Sequence, residues 1–290
     1  FPTRRSSDLF AITVGHYCRE MGVSCGKGGR TVRQDDALLE VRNLTISFGG
    51  VVALNKISLE IYEQEILGLI GPNGAGKTTL FNCLSRLYRQ SSGDILVRGE
   101  TITPLGPEDM AARGIGRTFQ NIALFETMTV YENVLTGAQF AMNGGLMADI
   151  FGGAKTRQER AETRDRIMHL LSLLDLADIA DHTIADQNFA VRKRIEFARA
   201  LAAEPSLLML DEPAGGLNRE EVTHLEDLIR QVRDEFKVAV LLVEHHLNLV
   251  MKVSDRVVAM DFGEKIADGL PQEVRAHPQV LRAYLGEEAA

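Results

Sequence analysis

The sequence predicts an α/β fold in which a parallel β-sheet is covered by helices on both faces, with a small antiparallel β subdomain and an inserted α-helical subdomain. Short, fully apolar segments at 66–70, 207–210 and 238–243 have the composition of strands buried on both sides. Amphipathic helical patterns separate these segments along the chain. Buried strands alternating with helices are typical of a parallel sheet, because each crossover places a helix on one face.

Two further patterns predict the subdomains. Alternating apolar residues at 39–48 and 57–61 indicate half-buried strands, and we expect them to pair antiparallel with a strand at 94–98 as a small side sheet. A mainly helical stretch at about 121–190 lies between predicted core strands. This position is that of an inserted helical subdomain.

Residues 1–36 differ in character from the rest of the chain. They show no sustained periodicity, and residues 25–30 (CGKGGR) have the composition of a loop. We expect residues 1–36 to be a disordered leader or an artefact, and residues 37–286 to form one domain.

Composition excludes several classes of function. The 290 residues carry a net charge of −8, whereas a protein that binds nucleic acid normally has a basic surface. No apolar run approaches the roughly 18–20 residues needed to cross a bilayer, so membrane association is expected to go through a partner. The three cysteines form neither a disulfide framework nor a zinc-binding spacing, which suits a reducing cytoplasm.

The segment after the first apolar strand has the spacing of a P-loop: a glycine, four residues, and then glycine, lysine and a hydroxyl residue. Glycine permits the positive φ values and the close backbone approach that a triphosphate requires. We expect Lys77 to reach the β- and γ-phosphate oxygens and Thr78 to ligate Mg²⁺. A glycine-rich turn is the alternative, but the strand–loop–helix context favours a nucleoside triphosphate site. The residues expected to bind the nucleotide are Gly71, Pro72, Asn73, Gly74, Ala75, Gly76, Lys77, Thr78 and Thr79.

Three other predicted strands also end in polar residues: Gln120, Asp211 with Glu212, and His245. Ligands of open α/β sheets bind at the carboxyl ends of the strands, so these side chains are expected near the P-loop. We expect Asp211 to hold Mg²⁺, Glu212 to act as general base for the attacking water, and His245 to stabilise charge at the γ-phosphate. The alternatives are helix capping or a surface salt bridge for the carboxylates, and a structural role for the histidine.

In their order along the chain, these motifs resemble the ATP-binding cassette (ABC) ATPases, the motor subunits of ABC transporters. The resemblance covers about residues 38–285 and implies a dimer, with each ATP held between the P-loop of one subunit and the signature loop of the other. It also implies that Phe48 stacks on adenine, although a lone aromatic residue in a strand is more often a core residue. Gln120 is implied to act in catalysis and, with Thr78 and Asp211, as a metal ligand.

Three segments are similar, more specifically, to the ATPases of branched-chain amino-acid importers. They are 116–120, 212–218 and 277–286, of which 214–218 looks like the D-loop of the family. The similarity implies an importer of such amino acids.

The signature segment departs from the family pattern. The helix at 192–201 fixes the register, so the family's LSGGQ falls on QNFAV at 187–191. Asn188 replaces the serine and can still cap a helix, but Ala190 places a methyl group where the backbone should approach the γ-phosphate. With Phe189 and Val191 these residues form a degenerate signature, which we expect to bind a partner's ATP poorly. We therefore hypothesise a heterodimer; a sequence error or a deliberate change in the segment is the alternative.

The expected function is that of an ATP-hydrolysing motor of an ABC importer, with Lys77, Gln120, Glu212 and His245 in catalytic roles and ATP and Mg²⁺ as cofactors. Its expected partners are a second ABC ATPase subunit, membrane permeases and, indirectly, a solute-binding protein. The expected location is peripheral, at the cytoplasmic face of the plasma (inner) membrane. Alternatives are the ATPase of a lipid-type exporter, a soluble ABC ATPase of translation or DNA repair, and a nucleotide-binding regulator.

Overall fold

The computed structural model describes residues 37–118, 123–139 and 154–285. The predicted leader at 1–36 and the predicted metal ligand Gln120 lie outside these ranges. The segment 143–153, whose glycines predict a loop, also lies outside them. The strands are β1 Ala37–Phe48, β2 Val51–Tyr62, β3 Ile66–Ile70, β4 Ser92–Val97, β5 Glu100–Thr101, β6 Ile115–Arg117, β7 Leu207–Asp211, β8 Ala239–Val243, β9 Arg256–Asp261 and β10 Glu264–Gly269. The α-helices are α1 Lys77–Leu84, α2 Val130–Ala138, α3 Ala154–Leu173, α4 Phe189–Ala202, α5 Arg219–Phe236, α6 Leu247–Val253, α7 Pro271–Ala276 and α8 Pro278–Leu285.

The main sheet has the strand order β10-β9-β3-β8-β7-β6. Its strands are parallel except β10, which pairs antiparallel with β9. All five residues of β3, β7 and β8 are buried, as expected for strands covered on both faces. The predicted α/β fold with a parallel sheet is therefore confirmed.

A second sheet is wholly antiparallel and has the order β2-β1-β4-β5. This is the predicted antiparallel β subdomain. Its β1 pairs with both β2 and β4, so the strand predicted at 94–98 occupies the expected place, although it begins at Ser92 and ends at Val97.

Two apolar clusters lie on opposite sides of the main sheet, and the alternation of side chains along β3 divides that strand between them. Ile66 and Ile70 belong to the cluster formed with α4, α5 and α6. Leu67 and Leu69 belong to the cluster formed with α1 and the antiparallel sheet. The strand that leads into the P-loop is thus fixed from both faces.

Helices α2 and α3 and two short 3₁₀ turns, Ala177–Ile179 and Ile184–Asp186, make up the described part of the helical insertion predicted at about 121–190, and α4 begins where that stretch ends. Thr129 caps α2 in a reciprocal capping box with Glu132, as its sequence pattern predicts. None of the described helices is both long enough and apolar enough to cross a bilayer.

Several element boundaries differ from the predictions. The sequence pattern after the P-loop predicts a helix over 78–88, but α1 ends at Leu84 because the chain turns at Arg86, whose φ is 59°. The pattern also predicts a short helix over 107–112, and the structure has a single 3₁₀ turn there that ends at Asp109. Strand β6 ends at Arg117, earlier than predicted.

Candidate functional site

The P-loop connects β3 to α1, and two of its glycines occupy positions that a side chain would obstruct. Gly71 has φ of 152°, and a Cβ atom there would lie 2.2 Å from the carbonyl oxygen of Met260. Gly76 has φ of 96°, and its Cβ atom would lie 2.8 Å from the carbonyl oxygen of Ala53. The spacing of these glycines is therefore required by the packing of the loop against β9 and β2.

Lys77 is buried at the start of α1. Its Nζ atom donates hydrogen bonds to the carbonyl oxygens of Gly71, at 2.6 Å, and Pro72, at 2.9 Å. These bonds hold the ammonium group against the loop that is expected to surround the phosphates.

A cavity of about 390 Å³ lies over the P-loop. It brings P-loop residues together with Glu212 and His245, which come from the ends of other strands. Its lining residues are Val51, Val52, Ala53, Asn73, Gly74, Ala75, Gly76, Lys77, Thr78, Thr79, Glu212, His245 and Phe262.

Glu212 and His245 face each other across this cavity, with Nε2 of the imidazole 2.8 Å from Oε1 of the carboxylate. Their positions follow from the pairing of β7 with β8, in which Asp211 is opposite Val243. Glu212 leaves its strand with φ of 50°, and its backbone N–H donates to the carbonyl oxygen of Val243 at 2.9 Å. The sheet register therefore brings together two side chains that are distant in sequence.

Asp211 is buried and forms an ion pair with Arg117, whose Nη2 atom is 3.2 Å from Oδ2. Burial raises the pKa of the Asp211 carboxyl, and the Arg117 guanidinium opposes this shift. Asp211 is not among the described residues that line the P-loop cavity. Arg117 also donates to Asn82 and Ser85, at 2.8 and 2.6 Å, which connects the end of β7 to the P-loop helix.

Two exposed aromatic residues bear on the prediction that Phe48 stacks on adenine. Phe48 is 46% exposed and packs edge-on against Tyr88, with ring centroids 5.3 Å apart. It is not among the described residues that line the P-loop cavity. Phe262, which the sequence patterns did not single out, is 87% exposed and lines the cavity.

The signature segment does not line the P-loop cavity of its own chain. Asn188 caps α4 by accepting a hydrogen bond from the Val191 N–H at 3.0 Å, as its residue type predicts. Phe189 is half exposed, and its ring lies against Gly216 in the predicted D-loop. Asn188, Ala190 and Val191 line a different cavity of about 400 Å³ that shares no lining residue with the P-loop cavity.

Comparison with known proteins identifies the class to which this fold and site belong. The family model for ABC transporters matches residues 54–215, more than half of the chain. The chain therefore belongs to the ABC transporter family, as one of its ATPases, and the resemblance seen in the motifs is confirmed. A second family model, "Branched-chain amino acid ATP-binding cassette transporter", matches residues 264–290.

Individual relatives carry more specific names. The chain is 41% identical over 250 residues to the high-affinity branched-chain amino acid transport ATP-binding protein LivG of Escherichia coli K12. The aligned region covers 86% of this chain and 98% of LivG. The same identity and coverage relate it to the protein BraF of Pseudomonas aeruginosa, which has the same description.

Solved structures share the fold. MJ1267 in its ADP conformation, an ATP-binding cassette of an ABC transporter, superimposes with a TM-score of 0.74 at 26% identity over 86% of this chain and 99% of that one. CbiO1 of Clostridium perfringens, part of the ABC transporter complex cbiONQ, gives a TM-score of 0.71 at 29% identity over 87% of this chain and 99% of that one.

Proposed function

We propose that this chain is the ATP-hydrolysing motor subunit of an importer for branched-chain or related amino acids. The observation that carries the proposal is the cavity that joins the P-loop to Glu212 and His245. The names of LivG and BraF, together with the C-terminal match to the branched-chain family, support the substrate class.

In the proposed reaction, water polarised by Glu212 attacks the γ-phosphorus in line, and the bond to the β–γ bridging oxygen breaks. Lys77 and His245 neutralise charge on the transferred group. Glu212 then carries the proton taken from water until it is passed to the phosphate or to solvent. Phe48 and the P-loop residues are proposed to position the nucleotide.

The residues present fit a bound Mg²⁺. Asp211 offers carboxylate oxygens and Thr78 a hydroxyl oxygen, which are the hard oxygen ligands that Mg²⁺ prefers. Thr78 and Asp211 are proposed to hold the ion, and Gln120 is retained as a third candidate ligand. When bound, Mg²⁺ neutralises charge on the β- and γ-phosphate oxygens.

The partner that completes the site is proposed to be a different ABC ATPase subunit. The signature segment does not line the P-loop cavity of its own chain, which supports the proposal that it serves the site of another cassette. Since its Ala190 and Val191 replace a glycine and a glutamine, a homodimer would have two weakened sites, whereas a heterodimer would have one. The remaining proposed partners are membrane permeases and, indirectly, a solute-binding protein, which place the chain at the cytoplasmic face of the inner membrane.

Uptake of radiolabelled leucine tests the transport proposal. The chain and its cognate permeases, partner cassette and solute-binding protein are expressed in cells that lack their own leucine importer. We expect saturable uptake that Glu212→Gln abolishes, and co-purification of the permeases with both the wild-type chain and the variant. Permeases that co-purify but transport neither leucine, isoleucine nor valine would contradict the assigned substrate.

A further inference from the structure

Glu244 is a buried carboxylate located between the end of β8 and His245. Glu244 as a whole is only 2% exposed. Atom Oε1 accepts a hydrogen bond from the Ala214 N–H at 2.6 Å, and Oε2 accepts from the N–H groups of His245 and His246 at 3.0 and 3.3 Å. Among the described residues, no ion pair involves Glu244. Backbone N–H groups from two loops therefore stabilise its charge.

Each of these two loops carries one member of the Glu212–His245 pair. Ala214 lies in the turn that begins at Glu212, which is closed by a hydrogen bond from the Gly215 N–H to the Glu212 carbonyl oxygen at 3.1 Å. The other loop begins with Glu244 itself and continues into His245. One oxygen of Glu244 thus fixes the first loop and the other oxygen fixes the second.

We propose that Glu244 is a positioning residue that sets the separation of Glu212 from His245 and couples movement of the 212–215 turn to movement of the 244–246 loop. The inference rests on the proposed function, because it assigns Glu244 to the same hydrolytic site. Glu244 does not line the P-loop cavity and acts through the two residues that do.

The chemistry of the three hydrogen bonds explains why a carboxylate is needed. Both oxygens of a carboxylate accept, so both loops can be bound at once. A glutamine in the same place offers one oxygen and one NH₂ group, and the NH₂ group would face an N–H donor from one of the loops. Glu244→Gln therefore disconnects one loop from the other while conserving the size of the side chain.

The test measures steady-state ATPase activity of the assembled complex that contains Glu244→Gln. We expect kcat to fall by about tenfold or more, since small displacements of reacting groups are costly, while KM for ATP stays within about twofold. The matched control is Glu226→Gln, which changes another buried carboxylate. Glu226 lies on α5 and pairs with Lys252 of α6 at 3.2 Å. That variant should lose thermal stability and keep the wild-type kcat.

A combined variant distinguishes positioning from general stabilisation. If Glu244 acts through Glu212 and His245, adding Glu244→Gln to a Glu212→Gln/His245→Ala variant should not slow its single-turnover hydrolysis further. Independent, multiplicative losses would overturn the proposal, as would a kcat of Glu244→Gln within twofold of the wild type. Glu244→Asp, which keeps the charge but is one methylene shorter, should also lower kcat and replaces Glu244→Gln if that variant does not fold.

A second readout separates failure of this inference from failure of the proposed function. If the wild-type complex does not hydrolyse ATP, the proposed function is wrong, and the coupling is then judged from the imidazole NMR signals of His245 in the chain. Glu244→Gln should shift those signals, and Glu226→Gln should leave them in place. Unchanged His245 signals in Glu244→Gln would overturn the coupling irrespective of any ATPase activity.

Discussion

Glu212 has a backbone conformation that non-glycine residues rarely adopt, with φ of 50°. Such conformations cost on the order of 1–3 kcal/mol and persist only where surrounding contacts impose them. Here the carbonyl oxygen of Glu212 accepts from the Lys193 ammonium group at 3.3 Å as well as from Gly215, and its N–H binds Val243. The conformation directs the carboxylate at the P-loop cavity, which supports its assignment as the general base.

The first prediction concerns this carboxylate. Glu212→Gln should lower turnover by about 10²–10⁴-fold, the range that general acid–base catalysis contributes, and leave ATP affinity nearly unchanged because the P-loop is intact. Steady-state ATPase assays and binding of a fluorescent ATP analogue measure the two quantities. The control is Glu63→Gln, at an exposed carboxylate paired with Arg98. Turnover that survives in Glu212→Gln would remove this residue from the role of base.

The second prediction concerns the buried ion pair between Arg117 and Asp211, the residue before Glu212. Arg117→Met should lower the free energy of unfolding by about 3–5 kcal/mol, because Asp211 would keep a buried charge without its guanidinium partner. Arg42→Met breaks an exposed pair with Glu40 and should cost less than about 1 kcal/mol. Urea unfolding of both variants measures the difference. Equal losses in the two variants would show that the Arg117–Asp211 pair contributes no more than a surface contact.

At this scale the sequence predicts residues that belong to local motifs and misses residues defined by long-range pairing. Lys77, Asp211 and Glu212 are recognisable because each lies in a short pattern of fixed spacing. Arg117 lies 94 positions from the aspartate it neutralises, and no local pattern indicates that contact. Glu244 is similar, since its role depends on Ala214 in another loop.

Among the elements, helix α8 has a function that its sequence pattern does not indicate. Its Tyr284 hydroxyl accepts a hydrogen bond from the N–H of Gly71, the first glycine of the P-loop, at 2.8 Å. The two residues are 213 positions apart. The C-terminal helix therefore binds one end of the loop that is expected to surround the phosphates, and Met260 of β9 packs closely against the same glycine.

The third prediction follows from this contact. Tyr284→Phe should weaken ATP binding about fivefold, because the Gly71 N–H loses an acceptor worth about 1 kcal/mol and the loop is less well ordered before nucleotide binds. Tyr131→Phe in helix α2, where Arg164 packs over the ring, is the matched control. Titration with a fluorescent ATP analogue gives both affinities. Indistinguishable dissociation constants would show that α8 does not order the P-loop.

The limits of strands with a uniformly apolar sequence could be predicted closely. The ends of helices that are set by a change in backbone conformation could not. Strand β9 spans 256–261, the limits that its sequence pattern predicts, and β7 extends one residue beyond the apolar run at 207–210. Both are predicted closely because a run of apolar residues indicates a buried strand. Helix α1 ends four residues before Tyr88, its predicted end, because Arg86 adopts a left-handed conformation. An arginine in the sequence does not indicate such a conformation. The position of Glu212 and His245 beside the P-loop was predicted, because each follows a parallel strand and the carboxyl ends of such strands meet at one edge of the sheet.

For the molecule as a whole, the central feature is that the signature segment does not line the P-loop cavity of its own chain. Lys77, Glu212 and His245 line that cavity, whereas Asn188, Ala190 and Val191 line a neighbouring cavity that Asp211 and Pro213 also border. We propose that this chain supplies half of one ATP site and half of another. The degenerate signature affects the second half only, which is why the proposed partner is a different subunit with an intact signature.

The fourth prediction uses this separation. Restoring the signature with Asn188→Ser, Phe189→Gly, Ala190→Gly and Val191→Gln should let the isolated chain assemble productive homodimers. We expect its ATPase rate to rise about tenfold or more over the wild-type chain, with a dependence on protein concentration that indicates dimerisation. Adding Glu212→Gln to the restored chain should remove the gain, because the catalytic half of each site is then inactive.

The ATPase rate of the purified wild-type chain, measured alone across a range of ATP concentrations, tests the account most directly. A chain that supplies a competent P-loop half and a deficient signature half should hydrolyse ATP slowly, with a Hill coefficient of about 1. Addition of a partner cassette with an intact signature should increase the rate. Rapid and strongly cooperative hydrolysis by the wild-type chain alone, equal to that of the restored chain, would contradict the proposal that its P-loop is completed by a different subunit.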